Sequence, residues 1–334
     1  MAIVVFEAEE NDRQYLAARF LGEDIRFVPE PLTTPEQAKR VAADADVISV
    51  FVHSRITPDV FAEMPALKMV ATRSTGFDHV DPAAALERGI IVSNVPTYGE
   101  NTVAEHTFAL ILALSRNLHK AYVRTSAGDM SMHGLTGFDL QGKTIGVVGT
   151  GHIGLHVIRI AHGFGMNVIA YDPYPNSTLA ELLNYKYVSL DDLLAQSDIV
   201  TLHAPLTPQN KHLIGAHNIG TMKQGALLIN TARGGLVDTV ALISALDSGL
   251  LRGAGLDVIE GEEIFSEEKQ LLGAGNMTEE HLRMALRNIT LLRRPDMVIT
   301  PHIAFDSTEA IERILATTVE NIRAFRAGTP RNMV

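Results

Sequence analysis

Three residues able to do chemistry stand at comparable places in the second half of the chain: Arg233 in Asn230-Thr-Ala-Arg-Gly-Gly235, Glu262 shortly after Gly255-Leu-Asp-Val258, and His302 in Thr300-Pro-His-Ile-Ala304. Each follows a short apolar run of β type, and the carboxyl ends of parallel strands are where α/β sheets bind ligands. A guanidinium fork pairs with a carboxylate and polarises the adjoining carbonyl, and an imidazole delivers a proton to oxygen. A carboxylate behind the imidazole orients it and favours its protonated form. The set suits reduction of a 2-oxo acid. Singly, each residue has a duller reading: Arg233 as a surface ion pair, Glu262 as one of several solvated acids, His302 as a loop cap after Pro301. All three after successive strand ends, beside a nucleotide-binding turn, make catalysis the stronger reading.

That turn is Lys143-Thr-Ile-Gly-Val-Val-Gly-Thr-Gly-His-Ile-Gly154, a β-branched strand followed by glycines and a helix. Gly149 permits the tight turn, Gly151 admits backbone N–H groups to a pyrophosphate, and Gly154 lets the helix lie close to the strand. A second strand, Asn167-Val-Ile-Ala-Tyr-Asp172, ends in an acid eighteen positions past Gly154. Asp172 is placed to accept from both adenosine ribose hydroxyls and to repel a 2′-phosphate, so NAD is expected rather than NADP.

Positioning these residues requires a parallel α/β sheet. In the first hundred residues, Ile3–Phe6, Ile25–Val28, Val47–Val52, Met69–Thr72 and Ile90–Ser93 read as strands separated by helical patterns. Thr144–Gly149, Asn167–Asp172, Ile199–His203, Ala226–Thr231, Gly253–Val258 and Met297–Thr300 form a second series. The rhythm predicts two doubly wound domains with a cleft between them. Asn101–His119 reads as one long helix, apolar nearly all round, suited to a core or to a bridge between domains or subunits. The tail Ser307–Ala327 is amphipathic and is expected to return to the N-terminal domain. Residues 1–99 with 303–334 then form a discontinuous substrate-binding domain, and 100–302 the nucleotide domain, with crossings near 100 and 302 as a hinge.

Composition narrows the partners. A chain of 334 residues with 46% hydrophobic content is large enough for two cores. A net charge of -11 is the wrong sign for nucleic acid, for an anionic membrane surface, or for long-range steering of an acidic substrate. Any anion must be captured locally. There is no cysteine, which excludes disulfides and thiolate chemistry, and no metal is assigned. The start lacks a signal-peptide pattern and no apolar run reaches the roughly 18 residues of a membrane span, so the cytoplasm is the default expectation.

Taken together, these residues resemble the NAD-dependent D-2-hydroxyacid dehydrogenases, the D-lactate dehydrogenase branch most of all. The likeness spans nearly the whole chain. Its most specific pieces are Asn94-Val-Pro-Thr-Tyr-Gly-Glu-Asn-Thr-Val-Ala-Glu-His106, the turn Gly149–Gly154, Asn230–Gly235 with Leu236-Val-Asp238, Leu256-Asp-Val258 with Glu262, and Thr300-Pro-His302. The resemblance implies a Rossmann-type nucleotide domain plus a flavodoxin-like substrate domain, and makes Arg233, Glu262 and His302 the catalytic trio. It places Asp257 at the nicotinamide carboxamide, with Thr102, His152, Ile153, His203, Ala204, Pro205, Thr231 and Ala232 along the cofactor. For the substrate carboxylate it offers main-chain N–H groups in Arg73-Ser-Thr-Gly-Phe-Asp78, hence Ser74, Thr75 and Gly76 from the other domain, so that catalysis requires closure. Tyr98, Phe51 and Phe305 are candidates for a small side-chain pocket, with ordinary packing as the competing reading. The chain has no tryptophan, although lactate-type relatives often carry one in the segment matching Thr125–Phe138; Met130, Met132 or His133 are the candidates to replace it. The side chains of Glu260, Glu263, His106 and His152 are read as structural or solvated.

The expected activity is hydride transfer between NADH and a small 2-oxo acid giving a D-2-hydroxy acid, with pyruvate first. A glyoxylate or hydroxypyruvate reductase, or a longer-chain 2-hydroxyacid dehydrogenase, is the runner-up. A non-catalytic NAD(H)-sensing protein is the alternative of another class. The resemblance also implies a homodimer through helices flanking the nucleotide domain.

Overall fold

The structure, a computed structural model, describes residues 1–262 and 279–334. Glu263 therefore lies outside the described residues. The chain divides into two compact units, Met1–Tyr98 with Ser307–Val334, and Gly99–Asp306. The divisions fall after Tyr98 and after Asp306, where crossings near 100 and 302 were expected.

In the first unit, β1 (Ile3–Phe6), β2 (Ile25–Val28), β3 (Val47–Val50), β4 (Met69–Thr72) and β5 (Ile91–Ser93) pair in parallel in the order β2-β1-β3-β4-β5. Alternate side chains divide between two faces. Ile3, Val5, Val47, Met69 and Ala71 pack with Leu16 and Phe20, and with Leu315, Val319 and Ile322 of a C-terminal helix, Thr308–Arg326. Val4, Phe6, Ile48, Val50 and Val70 pack with Ala38, Val60, Phe61 and Met64 on the other face. Both faces being covered, the strands read as continuous apolar runs. Helix α1 (Glu10–Arg19) follows β1, and the short helices α2 (Pro35–Val41), α3 (Pro58–Ala62) and α4 (Pro82–Glu87) begin after Thr34, Thr57 and Asp81, where that side chain accepts an N–H in the first turn and proline supplies a preset φ.

Beneath the carboxyl ends of β1, β3 and β4 lies Arg73, only 2% exposed. Its guanidinium donates to the carbonyls of Phe6 (2.7 Å) and Glu7 (2.8 Å) and to Ser49 Oγ (3.2 Å). Burial lowers its proton affinity while Asp12 and Glu7 oppose that, and burial raises the proton affinity of Asp12 against the pull of Arg73.

In the second unit, β6 (Thr144–Val148), β7 (Asn167–Tyr171), β8 (Lys186–Tyr187), β9 (Ile199–Leu202), β10 (Ala226–Asn230), β11 (Leu251–Leu256) and β12 (Met297–Ile299) form a parallel sheet in the order β12-β11-β10-β9-β6-β7-β8. The direction of winding reverses at β6, so the carboxyl ends of β6 and β9 mark the switch point where a crevice opens. One long helix over Asn101–His119 is not found. Helix α5 (Glu100–Ser115) ends where Asn117 takes a left-handed backbone, φ +51°, and α6 (Leu118–Ser126) starts anew. Asparagine tolerates that conformation better than most residues, which makes it a natural break point. Ala104, Phe108, Leu110, Ile111 and Leu114 of α5 are core residues of this unit, and the approach to β11 is so close that a Cβ at Gly255 would sit 3.0 Å from Leu110 Cβ. No helix among the described residues is long and apolar enough to cross a membrane.

Replacing Arg73 by leucine is expected to strip two buried carbonyls of their donors and lower unfolding stability by about 3 kcal/mol. Urea denaturation of the full chain checks this; an unchanged midpoint contradicts the role.

Candidate active site

At the switch point the three glycines of the turn have three different reasons to be glycine. Gly149 has φ +91°, and a Cβ there would lie 2.8 Å from the carbonyl carbon of His203. At Gly154 it would lie 2.0 Å from Gly149 O, so helix α7 (His152–Gly163) can rest on the turn only because that side chain is absent. At Gly151 it would meet nothing within 4 Å. Gly151 is exposed at the start of a twelve-residue helix whose first N–H groups point outward, an open cradle of the kind a pyrophosphate fills. The residues present therefore fit a dinucleotide.

Asp172 sits one residue past β7, half-buried. Its Oδ2 accepts from Thr150 N–H (2.8 Å) and Thr150 Oγ1 (3.1 Å), and its Oδ1 from Tyr174 N–H (2.9 Å). Having given its proton to Asp172, the Thr150 hydroxyl accepts from Tyr187 OH at 2.7 Å, which lies 3.0 Å from Tyr185 OH. Burial first, then the Tyr187 hydroxyl, holds the Tyr185 phenol above its ordinary range. A carboxylate offers about four acceptor directions, so three internal donors fix the side chain and leave one for a ligand. His203 follows β9; its Nε2 pairs with Thr201 Oγ1 at 2.9 Å, and burial pushes its pKa down to about 3, so the ring is neutral at physiological pH.

The trio lies beyond the carboxyl ends of three adjacent strands. After β10, the Asn230 side chain closes the loop on itself, accepting from Ala232 N–H (3.0 Å) and donating to Arg233 O (2.9 Å). Arg233 Nη1 donates to Ala232 O at 2.7 Å. Gly234 then runs against the next loop so closely that a Cβ would fall 2.2 Å from the carbonyl carbon of Ile259. After β11, Glu262 closes a turn in which Oε2 accepts from Ile259 N–H at 3.2 Å. Its Oε1 is 2.9 Å from His302 Nδ1, beyond β12. The carboxylate can only accept, so Nδ1 carries the hydrogen. His302 Nε2 has no partner among the described residues, and the side chain is 25% exposed. Arginine, glutamate and histidine thus leave one sheet edge, with the last two in direct contact.

Asp257, expected beside the nicotinamide, is 1% exposed and has both oxygens engaged by the turn after β12: Oδ1 with Thr300 Oγ1 (2.5 Å) and Ile303 N–H (2.9 Å), Oδ2 with Ala304 N–H (2.8 Å). The structure thus assigns it a holding task that spacing did not reveal. Thr102 and Thr231 are buried, the latter 3.0 Å from Thr107 Oγ1; Ala232, Ile153 and Phe305 are half-buried, and His152 and Pro205 are exposed. Glu260 pairs with His212 at 2.7 Å, and His106 bonds Thr300 Oγ1 at 3.0 Å. Thr150, Tyr187 and Thr300 escaped sequence reasoning because hydroxyls carry no motif of their own. Position within the glycine turn was the one available signal, for Thr150.

In the first unit, Ser74, Thr75 and Gly76 form a loop past β4 whose own polar groups are mostly spent: Ser74 Oγ donates to Gly76 O (2.7 Å), Thr75 Oγ1 to Val95 O (2.7 Å), and Asn94 Nδ2 to Thr75 O (2.8 Å). The N–H groups of Thr75 and Gly76 have no acceptor among the described residues. Glu7 holds the adjoining loop, accepting from Phe51 N–H and His53 N–H at 2.9 Å each. Phe51 and Tyr98 are half-buried, and Met130 and Met132, in the second unit, are exposed.

Comparison with known proteins bears on this arrangement. Residues 108–304 match the family described as D-isomer specific 2-hydroxyacid dehydrogenase, NAD binding domain. The chain is 35% identical over 333 residues to the D-lactate dehydrogenase of Escherichia coli, covering 98% of each. It is 41% identical over 272 residues to the aromatic 2-oxoacid reductase of Clostridium sporogenes, covering 80% of this chain and 78% of that protein. Among solved structures, D-lactate dehydrogenase from Aquifex aeolicus complexed with NAD and lactic acid superimposes with a TM-score of 0.87 at 35% identity, covering 98% of this chain and 96% of that one.

Asp172→Ala is expected to lower kcat/KM for NADH by roughly tenfold to a hundredfold, the worth of lost charge-assisted hydrogen bonds, while sparing or improving that for NADPH. Specificity constants for both cofactors check this, and an unaltered ratio removes Asp172 from ribose recognition.

Proposed function

Because this chain belongs to the D-isomer-specific 2-hydroxyacid dehydrogenase family, binding NAD in its second unit, we propose that it interconverts a small 2-oxo acid and a D-2-hydroxy acid, pyruvate and D-lactate being the first pair to consider. The observation that carries the proposal is the His302–Glu262 pair at 2.9 Å, its Nε2 unpartnered, at the sheet edge that also bears Arg233.

When bound, NADH would supply a hydride for the carbonyl carbon of the substrate. As that bond forms, the carbonyl oxygen gains charge, and His302 Nε2–H gives it a proton. Glu262, 2.9 Å from Nδ1, keeps the imidazole from turning. The planar fork of Arg233 pairs with the substrate carboxylate and leaves a donor for the carbonyl oxygen, a task a single-point cation cannot share. In the reverse direction His302 accepts the hydroxyl proton. The roles of Ser74, Thr75, Gly76, Tyr98, Phe51 and Phe305 toward substrate, and of Asp257, Thr102 and Thr231 toward cofactor, belong to the same proposal. So does a homodimer, for which Leu118, Tyr122 and Val123 of α6 offer exposed apolar surface.

A second reading, a bulkier 2-oxo acid, is supported by the identity to an aromatic 2-oxoacid reductase and by the absence of tryptophan. A panel of pyruvate, glyoxylate, hydroxypyruvate, 2-oxoisocaproate and phenylpyruvate, followed by NADH absorbance, separates the two. NADH binding without turnover of any of them would leave a non-catalytic sensor instead.

Arg233→Gln is expected to reduce kcat/KM on the best substrate by roughly a hundredfold to a thousandfold, as loss of a charge-directed donor in a transition state does. Near-normal turnover across the panel would remove its role. Glu262→Gln keeps the shape but not the charge, and is expected to lower kcat by about tenfold to a hundredfold with KM for NADH little changed. Steady-state kinetics on the same substrate check both.

A further inference from the structure

Behind the His302–Glu262 pair lies a polar cluster, two of whose members have no task in the proposed reaction: His106 on α5 and Thr300 just past β12, joined to Asp257 just past β11. Thr300 Oγ1 is 2.5 Å from Asp257 Oδ1 and 3.0 Å from His106 Nε2, and that Nε2 is 3.6 Å from Asp257 Oδ1. A threonine hydroxyl has one proton to give. In the short bond to Oδ1 the hydroxyl is the donor, and the same carboxylate accepts two amide N–H groups as well. Thr300 therefore donates to Asp257, and its remaining lone pair receives the Nε2–H of His106. The protons run in one direction, from His106 through Thr300 to Asp257.

The same carboxylate also takes the N–H groups of Ile303 and Ala304. It thus grips the turn Thr300–Ala304 at both ends, with His302 between them. His302 has φ +57°, a left-handed backbone that is strained for a non-glycine residue and persists only where the surroundings over-determine it. Its N–H is held by Asp257 O at 2.9 Å.

We propose that His106 and Thr300 are positioning residues for the proton-transferring imidazole: acting through Asp257, they fix the strained turn that aims His302 at Glu262 and leaves Nε2 outward. This rests on the dehydrogenase reading, since it assigns a task to His302. Removing the Thr300 hydroxyl unseats one end of the grip while leaving the Asp257 carboxylate and its bonds to Ile303 and Ala304 in place. Removing the His106 donor leaves Thr300 free to rotate.

The test uses Thr300→Val against Thr300→Ser, and His106→Leu against His106→Gln, in the full chain. It reads kcat, KM for NADH, thermal midpoint, and the ring proton signal of His302 in histidine-labelled protein, assigned with His302→Gln. T300V is expected to lose about ten- to a hundredfold in kcat, the scale of a reacting group displaced by a fraction of an ångström to one ångström, with KM for NADH held within about threefold. The His302 signal should move, and T300S should restore both. H106L is expected to lose about five- to twentyfold, largely recovered in H106Q, whose amide can still donate. H106L also serves if T300V does not fold. A His302 signal unmoved in folded T300V or H106L overturns the proposal whatever the activity; so does a fall in kcat matched by the conservative variants. If the wild-type chain turned over no 2-oxo acid, the dehydrogenase reading would fail, and the ring signal alone would still decide whether the clamp exists.

Discussion

The parallel hydrogen-bond ladder of the second unit runs past the ends of its strands, and the catalytic edge depends on that extension. Leu256 O accepts from Thr300 N–H at 3.0 Å, Asn230 O from Asp257 N–H at 2.9 Å, and Asp257 O from His302 N–H at 2.9 Å. The ends of β10, β11 and β12 thus stay in register beyond the last regular residue, so the loops carrying Arg233, Glu262 and His302 depart from fixed points. Gly234 completes the joint, because only a residue without a side chain lets the loop after β10 touch the Ile259–Glu260 peptide. Rigid departure points matter because proton transfer tolerates little error in distance.

The nucleotide turn solves a different problem with similar means. With a net charge of -11, the protein has no general field to draw in a polyanion, so attraction must come from a few oriented dipoles. The exposed start of α7 provides them, and the open space at Gly151 lets a phosphate reach them. His203, packed behind Gly149, contributes shape without charge, since burial keeps its ring neutral. Asp172, proposed to meet a ribose rather than a phosphate, has its direction set by Thr150 from within the turn itself.

Much of this was legible in the sequence, for reasons specific to each element. Strands buried on both faces show as nearly unbroken apolar runs, so Ile3–Phe6 and Met69–Thr72 could be read to the residue. Strands followed by chemistry were read one or two residues too long, as with Val47–Val52 and Thr144–Gly149, because apolarity continues into the loop after hydrogen bonding stops. β8, two residues long, is too short to carry a pattern. The break at Asn117 was hidden because apolar periodicity continues across it, and only the backbone shows the left-handed residue. In the site, residues with a motif or a charge were visible: the glycines, Asp172, Arg233, Glu262 and His302. What stayed hidden were contacts between distant positions, His106 with Thr300 across 194 residues and Thr150 with Tyr187 across 37, since spacing along the chain does not encode them.

The short acidic stretch from Asp257 to Glu262 shows how one carboxylate type serves three ends through its surroundings. Asp257, 1% exposed, is saturated by the turn it holds, and its charge is spent on structure. Glu260 meets His212 at 2.7 Å and Thr239 Oγ1 at 3.4 Å, tying the loop after β9 to the start of the helix after β10. Glu262, 36% exposed, keeps one oxygen on its own turn and gives the other to His302. One of its oxygens is thus given wholly to the imidazole proposed to move the proton. The sequence order Asp257, Glu260, Glu262 therefore reads outward, from the most buried carboxylate, which holds the turn, to the one proposed to work in the site.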